Sequence, residues 1–478
     1  MTPRRSNLVL LICCSSLLLV SMDNTIVTTA LPAIRRDLDA SLSGLQWTID
    51  AYTLTVASLL MLAGSTADRV GRRRTFQTGL ATFTVGSLLC SIAPGLGWLV
   101  AARVAQAVGG SMLTPVAMSI ITNVFPDPRE RSRAIGLWGA TVGVSMALGP
   151  IVGGTLTESV GWRAIFLVNV PFGLAGFVLA ALFVPESRAE RARRPDPVGQ
   201  VLVATTLATL SYAIIEGPRH GWGSPGIVLL FLASGVTLAA LLGWEHRRPE
   251  PLLELRFFRS LPFSTATLTA VTGFGSFAAF LFLTTLYLQD VRGYSALGAG
   301  LCILPLALAT LVLSPVAGRI IGSRGVRIPL TVAGTCMAAG AGLLTGITPT
   351  TPLAALLAVF LLFGVGFGML NPPITNTAVS GMPRAQAGLA ASVASTSRQV
   401  GASLGVAVTG SIAGAATGHV GRGFAAATHP AWWLLCGCCA SIVPMCLLAT
   451  GSRGRASAQR VAALFADGPG TRATVPAR

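Results

Sequence analysis

Apolar residues run along this chain in fourteen long blocks, separated by short stretches that hold nearly all of the charge. The blocks cover about 8–31, 46–66, 76–93, 97–121, 134–157, 164–184, 199–216, 225–243, 262–288, 296–318, 328–347, 352–378, 387–414 and 430–450. Each is near the ~20 residues that a helix needs to cross a ~30 Å hydrocarbon core. The pattern therefore predicts an all-α integral membrane protein with fourteen transmembrane helices. An even number of spans places both termini on one side. All 34 cations are arginines: 26 fall on the side of the termini, six on the opposite side, and Arg103 and Arg398 within blocks. Positive loops stay in the cytoplasm, so the expected location is the cell membrane, with both termini cytoplasmic.

Composition narrows the class further. Of 478 residues, 52% are hydrophobic and 11% charged, against ~25% charged in soluble domains. The net charge of +17 would fit a nucleic-acid partner, but these arginines sit in short loops between spans, where they serve topology and anionic headgroups. The lipid bilayer is the expected partner and nucleic acid is not. The nine cysteines all lie in apolar blocks and read as small apolar residues. Cys436, Cys438 and Cys439 are clustered without a nearby histidine or acid, which argues against a metal site. Arg4 and Arg5 precede the first block, but that block is too long for a signal peptide, contains Asp23 and lacks a clear cleavage site. No phosphate-binding loop is present, so neither a nucleotide nor any other cofactor is expected. The histidines at 220, 246, 419 and 429 are scattered over loops, which speaks against an enzyme.

The organisation follows from the longest polar connections, 185–198 and 244–261, both rich in Arg, Glu and Pro. They isolate two helices between two sets of six, a 6 + 2 + 6 arrangement. The expected units are 1–185, 186–261 and 262–450, with an Arg-, Ala- and Gly-rich tail at 451–478 predicted to be disordered. Gly318-Arg319 and Gly325-Val326-Arg327 look like a degraded copy of the loop between the second and third blocks. Parallel six-helix repeats of this kind build transporters.

That loop, Gly64-Ser-Thr-Ala-Asp68-Arg69-Val-Gly71-Arg72-Arg73-Arg74, makes a tight turn that its glycines permit. Its plainest reading is a cytoplasmic charge cluster. Asp23 stands about 15 residues into the first block, ~22 Å from its start, where an acid normally faces a cavity or a partner; the alternative is an acid reaching the outer interface. Asp50 is placed near the outer mouth of the second span, either carrying protons or stabilising a helix N-terminus. Arg103 lies inside the fourth block, in Arg103-Val-Ala-Gln106-Ala107-Val-Gly109-Gly110. Because arginine keeps its proton, its role is to hold a carboxylate or an ordered water. Gly149-Pro150-Ile-Val-Gly153-Gly154 supplies small residues for close helix contact and a proline kink. Arg398, about 11 residues into the thirteenth block, is deep enough for a functional or pairing role.

Four of these stretches together resemble the major facilitator superfamily. They are the Gly64–Arg74 loop, Met22-Asp23-Asn24-Thr25 in the first span, the intramembrane Arg103, and Gly149–Gly154 with Gly161-Trp162-Arg163 and Asn169-Val170-Pro171 after it. The likeness is to the fourteen-span drug:proton antiporters, with Thr28 and Ala107 departing from the commonest pattern. The resemblance implies a monomeric carrier that expels an amphipathic compound, such as a drug or antibiotic, in exchange for protons. Asp23 would carry the proton, Arg103 and Asp50 would assist, and Gly64, Asp68, Arg69, Gly71 and Arg72 would gate the cytoplasmic side. It also implies that Asp68 meets the start of a back-half helix near 383–387 when that side closes. Proton-coupled uptake on the same fold, a membrane-embedded enzyme and a sensor are the alternatives. Substituting Asp23 by Asn is expected to leave stability intact, because it removes a charge from the membrane.

Overall fold

The computed structural model describes residues 3–189, 196–248, 250–382, 386–417 and 423–466. Its front set comprises α1 (Pro3–Leu38), α2 (Leu42–Val70), α3 (Arg72–Ser91), α4 (Leu96–Val124), α5 (Pro128–Ser159) and α6 (Asn169–Phe183), with one helical turn, Ala164–Leu167, before α6. Then come α7 (Pro197–His220) and α8 (Pro225–Arg247). The back set is α9 (Leu261–Leu286), α10 (Ala296–Arg324), α11 (Arg327–Leu343), α12 (Leu353–Val379), α13 (Ala387–Thr417) and α14 (His429–Thr450), followed by α15 (Ser452–Ala466).

Local chemistry sets the ends. Ser41, Asp127, Asp196 and Ser295 accept backbone N–H groups at the starts of α2, α5, α7 and α10, as N-caps do. The ends of α2 and α10 both stop on a glycine with positive φ, Gly71 at 125° and Gly325 at 78°, so the two loops that look alike in sequence also turn alike. α1 runs on to Leu38 through Pro32; neighbouring helices let membrane helices tolerate such prolines. The tail departs from the expected disorder: Ser452–Ala466 is helical, buries Val461 and Ala458, and hydrogen-bonds through Ser457 Oγ to Leu261 N at 3.0 Å. Residues 467–478 lie outside the described residues.

Among the described residues, twelve helices are long and apolar enough to cross a membrane, two fewer than expected. The missing pair is α3 and α13. At 20 and 31 residues they are long enough, but α3 opens on three arginines and α13 carries Arg398 among serines, threonines and glycines. Each packs against several other helices, α3 on α4 and α6, α13 on α2, α7 and α9. A helix screened in this way has less lipid to satisfy and needs less apolar surface.

The helix pairings repeat. In the front set α1 packs on α4, α5 and α6, α4 on α2 and α3, and α3 on α6. Adding eight to each number gives the back set: α9 on α12, α13 and α14, α12 on α10 and α11, and α11 on α14. The halves meet along two seams, α5 with α10 and α2 with α13. α7 lies along the second seam, touching both α2 and α13, and α8 packs on α7.

Both seams are closed at one end only. On α5 and α10, a Cβ at Gly154 would lie 2.5 Å from Leu297 Cα, one at Gly300 would overlap the Pro150 carbonyl, and one at Gly143 would lie 2.8 Å from Leu311. Towards the N-terminal face of the molecule, a Cβ at Gly136 or Gly139 on α5, or at Gly318 or Gly322 on α10, would meet nothing within 4 Å among the described residues. Eighteen residues make five helical turns, so Gly318 shares a face with Gly300; the seam splays along one continuous stripe. The second seam behaves alike. Gln46 Nε2 donates to the Val406 and Ala407 carbonyls at 3.0 and 2.8 Å, whereas Gly64, eighteen residues on, faces open space. The molecule is therefore shut on the face opposite its N-terminus and open on the N-terminal face.

Within the front half, packing leaves no such slack: a side chain at Gly109 would strike the backbone of Phe83. Gly109→Leu should lower the folded, monodisperse yield in size-exclusion chromatography, overpacking costing ~1–3 kcal/mol. Gly139→Leu, on the open stripe, should match wild type.

Candidate functional site

Five of the six front helices bring a polar group to one point. Asp23 of α1 and Arg103 of α4 are 0% and 1% exposed. Arg103 Nη1 donates to Asp23 Oδ2 at 2.5 Å and to Gln106 Oε1 at 2.6 Å. Its Nε donates to the Thr48 carbonyl of α2 at 3.1 Å, and its guanidinium lies 4.3 Å from the centre of the Tyr52 ring. The other carboxylate oxygen accepts from Gln106 Nε2 at 2.8 Å and from Asn169 Nδ2 of α6 at 3.0 Å. Gln106 also donates to Ser87 Oγ of α3 at 2.9 Å. The cluster forms because α3 and α4 approach closely at glycines: a Cβ at Gly86 would overlap the Gln106 backbone, and Gly110 leaves room for the Tyr52 hydroxyl.

This geometry answers the choice left open by the sequence: Arg103 holds a carboxylate, and Asp23 is its partner rather than an acid at the outer interface. The pair is sealed from the central cavity. Gln106, Asn169, Ser87 and Tyr52 were not assigned roles from the sequence. Asn169 and Gln106 carried a signal, each being a strongly polar side chain in an apolar block; Ser87 carried none.

Asp50 is not at a mouth and not at a helix start. It lies within α2, one turn from Gln46, and is 0% exposed on the side that meets α13. Oδ1 accepts from Thr53 Oγ1 at 3.4 Å, and Oδ2 has no hydrogen-bond partner among the described residues. Glu216 of α7 is also buried and accepts from Trp47 Nε1 at 3.2 Å.

The Gly64–Arg74 loop lies at the open end. Asp68 pairs with Arg72 at 3.1 Å, Gly64 faces open space, and Arg69 is exposed. The chain after α6 folds beneath the turn: Glu186 Oε1 accepts from Arg73 N at 3.1 Å, and its carboxylate fills the place where Gly71 would carry a side chain. Residues 383–385, part of the expected landing site for Asp68, lie outside the described residues. At the closed end, Glu158 Oε1 of α5 accepts from Leu297 N, at the start of α10, at 2.7 Å, and Arg35 of α1 meets Asp290 just past α9 at 3.5 Å.

The glycine motif of α5 works on two neighbours. A Cβ at Gly149 or Gly153 would strike Thr25 or Ile26 of α1, and Gly154 and Pro150 face α10. Beside it, a narrow crevice lies between the halves; Thr25, Thr28 and Thr29 line one side and Phe277, Leu281 and Ile303 the other. Arg398 of α13 is half-buried and donates to Thr375 Oγ1 at 3.1 Å and Ser395 Oγ at 2.6 Å. Among the described residues all nine cysteines are free, and no group of His, Cys, Asp or Glu is arranged to hold a metal ion.

The chain is 38% identical over 397 residues to "Multidrug resistance protein Stp" of Mycobacterium tuberculosis, covering 83% of this chain and 74% of that protein. It is 36% identical over 404 residues to "Tetracenomycin C resistance and export protein" of Streptomyces glaucescens, covering 84% and 75%. A solved bacterial homologue of the human drug peptide transporters PepT1 and PepT2 superposes with a TM-score of 0.67 at 14% identity, covering 95% of this chain and 99% of that one, a likeness of fold alone. The sequence profile of the Major Facilitator Superfamily matches residues 13–406, and with two alike six-helix sets meeting along two seams, this chain belongs to that superfamily of multi-pass membrane transporters, which are not enzymes.

Proposed function

We propose that this protein exports amphipathic organic compounds, drugs or antibiotics among them, in exchange for protons. The compound binds between the halves, and the halves rock so that the two ends of the seams open in turn. In this reading α3 and α13 complete fourteen spans, the two half-repeats are 1–185 and 262–450, with α7 and α8 between them, and the open N-terminal face is the cytoplasmic one. The carrier works as a monomer in the cell membrane. Relatives named for drug resistance and export support the substrate class.

The observation that carries the proton reading is the sealed Asp23–Arg103 pair. Its carboxylate accepts from a guanidinium and two amides, so a proton arriving on it would disturb every one of those bonds. Taking up the next proton requires the pair to separate, which couples protonation to a change in packing. Asp50, half-satisfied at a seam that must slide, is the second candidate carrier.

Accumulation of an exported dye in inside-out vesicles should collapse when a protonophore is added, and ATP depletion with the gradient held should have little effect. Transport that survives the protonophore would refute proton coupling.

Asp23→Asn should abolish proton-coupled export. Contrary to the expectation from sequence, it should also cost stability, ~3–5 kcal/mol, because Arg103 is left buried without its counter-charge. Asp23→Asn combined with Arg103→Gln should recover thermal stability but not export. Full export with unchanged pH dependence in Asp23→Asn would pass the proton role to Asp50.

Glu158 and Asp68 sit at opposite ends of the two seams and should act as opposed latches, each worth ~0.3–1 kcal/mol. With a single cysteine at Gly318 in a background free of the nine native ones, labelling from the cytoplasm should rise roughly two- to five-fold in Asp68→Asn and fall in Glu158→Gln. Equal rates in all three proteins would reduce Asp68 to a topological charge.

A further inference from the structure

Four charged residues lie deep within the long helices: Asp23, Asp50, Arg103 and Arg398. Three are sealed from the cavity, and Asp23 and Arg103 satisfy each other. Arg398 differs on both counts. It stands about 17 Å along α13, where an arginine is expensive unless something repays it. Among the described residues it takes part in no ion pair. Thr375 and Ser395 take two of its five donors, leaving the others for a ligand. As whole residues, Arg398, Thr375 and Ser395 are each partly exposed.

Its surroundings are aromatic. The guanidinium carbon lies 5.7 Å from the centre of the Phe274 ring on α9. Phe274 meets Phe367 of α12 at 5.2 Å, edge to face, and Phe367 stacks on Phe277 at 3.9 Å. Phe277 lines the cavity between the halves. A continuous aromatic wall thus runs from the cavity to a cation that has spare donors and no acid. Flat rings stack on such a wall, and a guanidinium fork matches a carboxylate.

We propose that Arg398 is the charge-reading residue of the substrate site, and that the site takes aromatic acids: a planar ring on the Phe274–Phe277 side and a carboxylate on Arg398. This rests on the export reading above and adds the sign of the substrate's charge to it.

The test uses a matched pair, pyrene-1-carboxylate and its methyl ester, at pH 7.5, where the acid is ionised. Binding to the purified full-length protein in lipid nanodiscs is measured by equilibrium dialysis against empty nanodiscs. Wild type should bind the acid more tightly than the ester. Arg398→Gln should weaken the acid roughly 10- to 100-fold, the range for a lost charge-assisted contact, and leave the ester within about two-fold. Arg398→Lys should recover part of the loss. An equal effect on acid and ester, or no effect on either, overturns the proposal. So does a wild type that prefers the ester, a result that needs no variant to fold. The same pair in inside-out vesicles separates the two readings: export of the ester without the acid leaves export standing and removes the role of Arg398. Failure to move the pair or any dye removes export itself.

Discussion

An ion pair in hydrocarbon has to be complete, because no water is present to make up what the protein omits. The Asp23–Arg103 pair has both carboxylate oxygens and three guanidinium donors bonded, and much of the front half follows from making it so. Guanidinium and carboxylate need more partners than each other; α2, α4 and α6 supply them, and Ser87 of α3 in turn accepts from Gln106. Those helices must then stand close enough for short side chains to reach, which Gly86, Gly109 and Gly110 permit. The back half repeats the helix pairings without the pair. It has an aromatic stack where the front half has a polar knot, so two similar scaffolds carry different chemistry.

The two seams are the second constraint. Their contact stripes are written with a helical repeat, so the residues that touch at one end and those that stand apart at the other share a face. Small residues along that face allow the helices to close without side chains having to leave. The closed end is held by a small set of polar contacts: Gln46 on backbone carbonyls, Glu158 on a helix start and the Arg35–Asp290 pair. Contacts of this strength suit the rocking proposed above, in which the seams part and rejoin.

How much of this could be read in advance differed by level. The all-α class, the order of the helices and the two half-sets came from the spacing of apolar blocks, which depends only on local sequence. The number of spans did not follow so simply: α3 and α13 are long enough but fall short in apolarity, since they pack against several other helices and answer to protein as much as to lipid. Asp23 and Arg103 stood out because charge is rare in such blocks. Ser87 could not, since serine is unremarkable in a membrane helix and its meaning depends on α4 lying against it. Asp50 was misplaced because its environment is set by α13, more than 330 positions away in sequence. Glu186 escaped notice for the same reason: it is an ordinary linker acid until the chain folds back under Gly71.

α7 has a consequence for how a solute meets the protein. It joins α2 through Trp47–Glu216 at 3.2 Å and through Gln200 to the Ser58 carbonyl, and α13 through the Ser411 hydroxyl on the Ile214 carbonyl. It lies along the flank of the α2–α13 seam, with α8 behind it. The α5–α10 seam has no such cover. The fold is nearly two-fold symmetric in its helix pairings, yet its exposure to the acyl chains is one-sided. For the proposed exporter, this leaves the α5–α10 flank, next to the threonines of α1, as the side from which a compound dissolved among lipid tails would approach.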